Sequence, residues 1–387
     1  QAAVYYVATN GPGGAATTWA TAKSVIQEAV SLCVSGDVVV VSNGLYDSGG
    51  VVDCPTPGHV LTNRVAITTA YVTVRSANNN PAAAIIKGAW SSDGRTNGWD
   101  AVRCVYMADR TALIGFTVTN GAGTTSQVQT VDRALGGIYC ASTSAVISNC
   151  VITGNAGMIN SLGAGVYQGT VYDSVIRGNA GLSGGGARLS VVYRSELTGN
   201  NAQTTGGGAD SSLLYDCLLA GNTSPDGAGA QACTQFNCRV IGNAGKDGGG
   251  VKNGVAYHCL VISNTATGRG GGAFRGVYVN CLLAGNTAGQ SGGGANSADL
   301  DACTVVGNAA GTTGGGGTYS GGVTNSIIYF NQSSAGSNTV SSAVSYSCTA
   351  PDPGGEGNRA DTPLFVQNGS GAGASLALGN YRLSRGS

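Results

Sequence analysis

The stretch GGGARLSVVYRSELTGNNAQTTGGGADSSLLYDCLLAGN, Gly184–Asn222, states nearly the same pattern twice. Each half opens on Gly-Gly-Gly-Ala, passes through an apolar run with a tyrosine, and closes on Gly-Asn. Followed outward, the closing residue recurs as Asn155, Asn179, Asn200, Asn222, Asn243, Asn264, Asn286, Asn308 and Asn331, at intervals of 21 to 24 residues. A unit that short cannot bury its own apolar face, so the period implies a solenoid of stacked units.

The columns of the repeat set the strand phase. Five residues before each Asn stands only Cys or Ser: Cys150, Ser174, Ser195, Cys217, Cys238, Cys259, Cys281, Cys303 and Ser326. Three before stands a branched aliphatic, as in Ile152, Leu219, Val240, Val261 and Ile328. A two-residue offset puts both columns on one face of a strand. Six before, Asn and Asp predominate (Asn149, Asp173, Asp216, Asn237, Asn280, Asn325), with Arg194, His258 and Ala302 in the remaining places. Asn and Asp tolerate left-handed backbone, which predicts a bend there. Eight before, Val171, Val192, Leu214, Leu300 and Val323 form a second inward position. Triple glycines and β-branched residues oppose helix throughout. The fold class expected is therefore all-β: one right-handed parallel β-helix of about twelve coils, each of about 22 residues.

Composition agrees. The 387 residues include 66 Gly and 8 Pro, and only 10% are charged. Glycine lacks the strict third-position spacing of collagen. With 42% hydrophobic residues and zero net charge, the chain is a poor candidate for disorder or nucleic-acid binding, and no apolar run is long enough to span a membrane. The opening QAAVYYVATNG is consistent with a processed, secreted start.

Four segments are expected: a strand and capping helix over 1–36, irregular early coils with long loops over 37–140, regular coils over 141–332, and an irregular end over 333–387. The capping helix is assigned to Trp19–Cys33 from the spacing of Ala22, Ile26, Ala29 and Val30. DVVVVSNGLYD is taken as the first coil. Six of the 12 Cys fall in the inward column, where in-register neighbours sit too far apart for disulfides, so reduced thiols are expected there. Cys104 and Cys140 are the leading disulfide candidates. No metal-site spacing and no cofactor motif occurs. Nothing in 333–387 visibly caps the last coil, and that open edge predicts head-to-tail self-association into a homo-oligomer or filament.

With the columns in view, the chain resembles bacterial secreted or cell-surface right-handed parallel β-helix proteins carrying GGGA…NCxxxGN repeats. The opening YYVATNG…TWATAKSVIQEAV and the tail YSCTAPDPGGEGN…DTPLFV…NYRLSRGS belong to the same likeness. More distantly it is similar to the chlamydial polymorphic outer-membrane proteins, which are adhesins and autotransporters. The resemblance implies a location outside a bacterial cell or on its surface, and an anchoring region after the tail, which this sequence lacks.

Pectate lyases and polygalacturonases share the architecture, so catalysis is a candidate function. Lyase chemistry needs carboxylates for calcium and a Lys or Arg base, and glycosidases need paired carboxyls. The best cluster is Asp226, Lys246, Asp247 and Arg269, with Asp299 and Asp301 as a weaker pair. A column seven before the Asn (Tyr172, Tyr193, Tyr215, Phe236 and Tyr257) either fills the core, shields the bend from outside, or forms a binding stripe for a glycan or a protein. The leading expectation is a structural or adhesive extracellular β-solenoid without catalytic activity, with a glycan or cell-surface ligand. The alternative is a polysaccharide lyase or glycoside hydrolase of the pectate-lyase-like type.

Overall fold

The computed structural model describes residues 2–93, 96–125, 132, 135–157, 163–373 and 376–384. Residues 1–203 and 204–387 form two compact units. Both are right-handed parallel β-solenoid with almost no helix. In the first unit Val4–Val7, Val38–Val41, Thr73–Ser76, Ala112–Ile114, Val146–Ser148, Thr170–Tyr172 and Val191–Tyr193 pair in parallel register, one strand per turn. A second sheet runs from Gly44–Tyr46 through Ala84–Lys87, Thr117–Thr119, Val151–Thr153 and Val175–Arg177 to Glu196–Thr198. In the second unit the corresponding sheets run from Leu213–Tyr215 to Ala343–Ser345 and from Leu218–Ala220 to Cys348–Thr349. A third sheet there runs from Thr223–Asp226 to Gln332–Ser333. Counted by the second sheet, the first unit has six turns and the second seven, near the expected twelve coils, and about nine of them are regular. The regular ones are the turns that carry a loop asparagine.

The bend expected six residues before each Asn is left-handed in all nine copies, from Arg194 at φ 44° to Asp216 and His258 at 55°. Position therefore outweighs residue type, since Arg, His and Ala adopt it as well. A second left-handed corner escaped the columns because no residue type marks it: Leu189, Ser211, Ala232, Asn253, Arg275, Ser297 and Ser320. The glycine triplet serves two purposes. Gly206 takes φ 63°. A Cβ on Gly208 would stand 2.5 Å from Gly229 O on the next turn, so glycine at the third place lets the turns stack closely, whereas the second place also accepts Ala228.

Two interior ladders explain the conserved-looking columns of the repeat. The loop asparagines are buried. Asn243 Nδ2 donates to Asn264 Oδ1 at 2.9 Å and to Leu219 O at 3.0 Å, and Asn264 repeats the pattern with Asn286 and Val240. The Cys/Ser column also has one task. Ser174 Oγ accepts from Cys150 N at 3.0 Å and donates to Tyr172 O at 2.7 Å. Cys259 Sγ accepts from Cys238 N and donates to Tyr257 O, both at 3.3 Å. A hydroxyl or a thiol meets the same two backbone groups. Burial pushes the Cys150 thiol up to about 11 and Cys233 to about 12.

The ends depart from expectation. Within the expected helix Trp19–Cys33, only Trp19–Thr21 and Ile26–Val30 are helical. Between them the backbone of Lys23 bonds to Tyr6 O and accepts from Ala8 N, so the edge strand Val4–Val7 recruits the segment and holds it out of a helix. Ala22, Ile26, Ala29 and Val30 are all buried as expected, and Gln27 Oε1 accepts from Ala66 N at 2.7 Å, closing an edge backbone group. Val4–Val7 also pairs with Val38–Val41, so the strand DVVVVS is not the first of the sheet.

At the other end, residues 354–361 lie against the last turn. Tyr346 N donates to Glu356 O, Arg359 N to Ser347 O, and Thr349 N to Arg359 O. Asn358 Oδ1 accepts from Ser347 N at 3.1 Å. The stretch Tyr346–Thr349 of the edge from which end-to-end assembly was expected is thus covered. Beyond it, Phe365–Gln367 and Asn380–Leu383 form an antiparallel hairpin. Phe365, Leu376 and Tyr381 pack on Ile241, Ile262, Ala284 and Val306, which accounts for apolar residues on an outward face. Cys104 and Cys140 are free, buried thiols. In register Cys140 stands beside Met107, three residues along from Cys104, so no disulfide joins them. Among the described residues no helix is long and apolar enough to cross a membrane.

Candidate functional site

The aromatic column faces outward. In Leu213–Tyr215 the middle residue is buried and Tyr215 half-buried, and Thr234–Phe236 behaves alike. Tyr215 stacks on Phe236 at 5.0 Å, and Phe236 on Tyr257 at 5.1 Å, with planes within 10°. In the first unit Tyr172 stacks on Tyr193 at 4.9 Å. Rings stacked one turn apart cover each other's faces, and a sugar would meet mainly their edges.

The charge cluster in the second unit assembles, with one exchange. Asp226, Asp247 and Arg269 each precede the first glycine of a corner, at the end of the third strand or just after it. Asp226 and Asp247 are in-register neighbours, a like-charge contact that needs compensation. Lys252 Nζ reaches Asp226 Oδ1 at 2.7 Å, and Arg269 NH2 reaches Asp247 Oδ2 at 3.1 Å. Arg269 N also donates to Asp247 Oδ1 at 3.0 Å. Lys246 is not part of the array: in Ala244–Asp247 it is exposed while Asp247 is buried, because successive side chains of a strand alternate. Lys252, which follows the corner, takes its place.

Phe274 stands beside Lys252 in register, and three cations surround its ring: Arg269 at 4.7 Å, Arg275 at 5.1 Å and Lys252 at 5.4 Å. Three cations thus face two carboxylates. Burial raises the Asp247 carboxyl, but the side-chain and backbone hydrogen bonds from Arg269, with the charges of Arg269 and Lys252, outweigh it and hold the group below its ordinary value. Arg269 is raised in turn, chiefly by its hydrogen bond to Asp247. A general acid needs a raised carboxyl and a general base a lowered cation; neither residue of this pair meets its condition. The second acidic pair is spent on neighbouring turns: Asp299 Oδ1 accepts from Gly322 N, and Asp301 Oδ1 from Asn325 Nδ2.

A buried polar network in the early coils went unforeseen. Arg103 is fully buried and donates to Leu135 O at 2.9 Å and Asn63 Oδ1 at 3.0 Å. His59 Nδ1 meets Asp132 Oδ1 at 2.9 Å, and Asp132 Oδ2 accepts from Val60 N. Tyr106, Tyr139 and Tyr167 stack alongside at 5.7 and 5.2 Å. Burial lowers Arg103 to about 10 against the opposing charge of Asp132. These groups satisfy one another and read as anchors for the long loops. Only the aromatic residues at matching places in strands 102–107, 138–140 and 166–167 signalled them. Among the described residues no group of His, Cys, Asp and Glu is placed to hold a metal ion.

No protein-family model and no curated protein matches the chain. Among solved structures it is similar to pectate lyase Pel9A, at 14% identity over 100% of this chain and 90% of that one, with a TM-score of 0.38. It is similar also to the A-module of the Azotobacter vinelandii mannuronan C-5 epimerase AlgE4 (13% identity, 91% and 94% covered, TM-score 0.41) and to the Dettilon tailspike protein (15%, 95% and 73%, 0.39). At such identities and TM-scores the chemistry of those proteins does not transfer to this chain, because one fold hosts many functions.

Proposed function

We propose that this chain is an extracellular or cell-surface β-solenoid directed at acidic polysaccharides. The array of Asp226, Asp247, Lys252, Arg269, Phe274 and Arg275 is its contact with the glycan. The observation that carries the reading is the surplus cation: Arg275 approaches Phe274 but has no carboxylate partner among the described residues. An anionic chain supplies the missing charge, through the planar donors that guanidinium groups present to carboxylates. Engagement of the polymer, rather than its cleavage, fits the perturbed groups, since Arg269 is held protonated and Asp247 ionised.

The test is binding of polygalacturonate and alginate by affinity electrophoresis, with dextran as the neutral control and calcium present. Retarded migration with the acidic polymers, lost in Arg269→Ala with Arg275→Ala, is the expected result. Equal retardation by dextran, or none at all, overturns it. Ultraviolet-absorbing unsaturated products would establish a lyase instead.

A structural or adhesive role is the second reading. It is supported by the face-to-face ring column and by interior ladders that leave few convergent polar groups. Negligible affinity for every glycan, with robust adhesion of coated beads to cells, would favour it.

A further inference from the structure

We propose that the early coils carry a second, separate subsite for a carboxylated sugar, in the cleft of about 300 Å³ lined by Asp47, Arg64, Lys87, Trp90 and Asn120. The proposal rests on the acidic-polysaccharide reading for its ligand class only; its residues are independent of the array in the second unit.

Three successive turns deliver the polar groups to one corner. Tyr46 pairs with Ile86, so Asp47 follows opposite Lys87, and Lys87 in turn pairs with Thr119, next to Asn120. Arg64 is 8% exposed. Its Nε donates to Lys87 O at 2.9 Å and its NH1 to Gly49 O, which fixes the guanidinium in the wall of the cleft. The Asp47 carboxylate and the Lys87 ammonium make no hydrogen bond or ion pair with any described residue. Trp90 is 48% exposed.

These groups divide among the parts of one ligand. An indole face suits the C–H face of a pyranose ring. Two cations against one carboxylate leave room for a single negative charge, and a carboxylate on the sugar meets it with charge-assisted hydrogen bonds. Asp47 accepts from sugar hydroxyls. A phosphate, with its greater charge, is disfavoured by Asp47, and a neutral sugar leaves the cations unmatched. The volume lies at the small end of ligand sites, which suits a short saccharide segment rather than a long groove.

The experiment is calorimetric titration of the full chain with trigalacturonate, with maltotriose as the neutral probe. Lys87→Met and Trp90→Ala are expected to weaken trigalacturonate binding about tenfold or more, the worth of one charge-assisted contact. Trp99→Ala, an exposed tryptophan outside the cleft lining, is expected to leave it unchanged. Unchanged affinity in Lys87→Met, equal affinity for maltotriose, or no measurable heat overturns the subsite. Should Trp90→Ala misfold by circular dichroism, Lys87→Met carries the test, since that ammonium holds no structural contact. Arg269→Ala separates the two proposals: if it abolishes trigalacturonate binding while Lys87→Met does not, the subsite fails and the array stands. The opposite pattern preserves the subsite and sinks the array.

Discussion

The early coils and the regular turns satisfy their buried polar groups in different ways. In the second, Asn243, Asn264, Asn286 and Asn308 repeat one bonding pattern turn after turn, with each partner 21 to 25 residues away. In the first, Arg103 and His59 meet partners 32, 40 and 73 residues away, and none of those contacts recurs. Both obey the rule that a buried donor or acceptor must be paired. A repeat meets the rule by copying, and a unique network by long-range coincidence. The copied solution is readable in sequence as a column. The unique one leaves no periodic trace.

The largest expected effect breaks the repeat itself. Leu219 and Val261 are fully buried, while Leu260 is 38% exposed and Leu218 half-buried. Leu219→Asp or Val261→Asp therefore buries an unpaired charge, at a cost of several kcal/mol. Leu218→Asp and Leu260→Asp are expected to be tolerated. Urea midpoints read the difference, and equal losses in both sets would put the strands in the opposite phase.

Next comes the contrast between unique and copied polar contacts. Arg103→Met strands Leu135 O and Asn63 Oδ1 and removes the charge that opposes Asp132, a loss of about 3–5 kcal/mol. Asn264→Ala strands the donors of Asn243 and the carbonyl of Val240, at about 2–4 kcal/mol. If Asn264→Ala proves neutral, the asparagine ladder is a spectator of the loop geometry.

A smaller effect sharpens the equivalence of the two kinds of rung. Cys259→Ser reproduces the rung that Ser174 makes in the first unit, so its stability change should stay within about 1 kcal/mol, whereas Cys259→Val removes the acceptor for Cys238 N and costs about 1–3 kcal/mol. With eleven of the twelve cysteines buried, a thiol reagent is expected to label only Cys348 in the folded protein. Prompt labelling of several thiols would contradict the inward column.

The smallest effect concerns the outer array. Asp247 has a depressed folded pKa, so its contribution is present above the ordinary carboxylate value of about 3.9 and is lost as pH falls through the folded value. Arg269 is 46% exposed, which limits the gain to about 1 kcal/mol or less. Wild type and Arg269→Ala should differ slightly at pH 7 and converge below about pH 4. A gap that persists in acid would place the contribution of Arg269 in its packing on Phe274.

Much of the fold could be read from residue columns because a solenoid writes each structural demand once per turn. The Cys/Ser column, the aliphatic column and the left-handed bend all follow from one alignment on Asn, and the bend holds even at Arg194, His258 and Ala302. The candidate site was legible only in part. Asp226, Asp247 and Arg269 share a column and assemble as expected, but Lys246 was a wrong member. Strand alternation excludes it once Asp247 is turned toward the array, and that argument was available from sequence.

By itself, then, the amino-acid order determined the repeat, the inward and outward phase of its strands, and the glycine corners, because each is a local requirement renewed every turn. Tertiary structure alone decided that Lys23 pairs with the first strand instead of extending a helix, that residues 354–361 cover the last turn, and that the terminal hairpin lies over Ile262, Ala284 and Val306. It also brought Asp47, Lys87 and Trp90 to one cleft. Those contacts join segments that share no period, and their energies depend on burial and register that exist only once the turns have stacked.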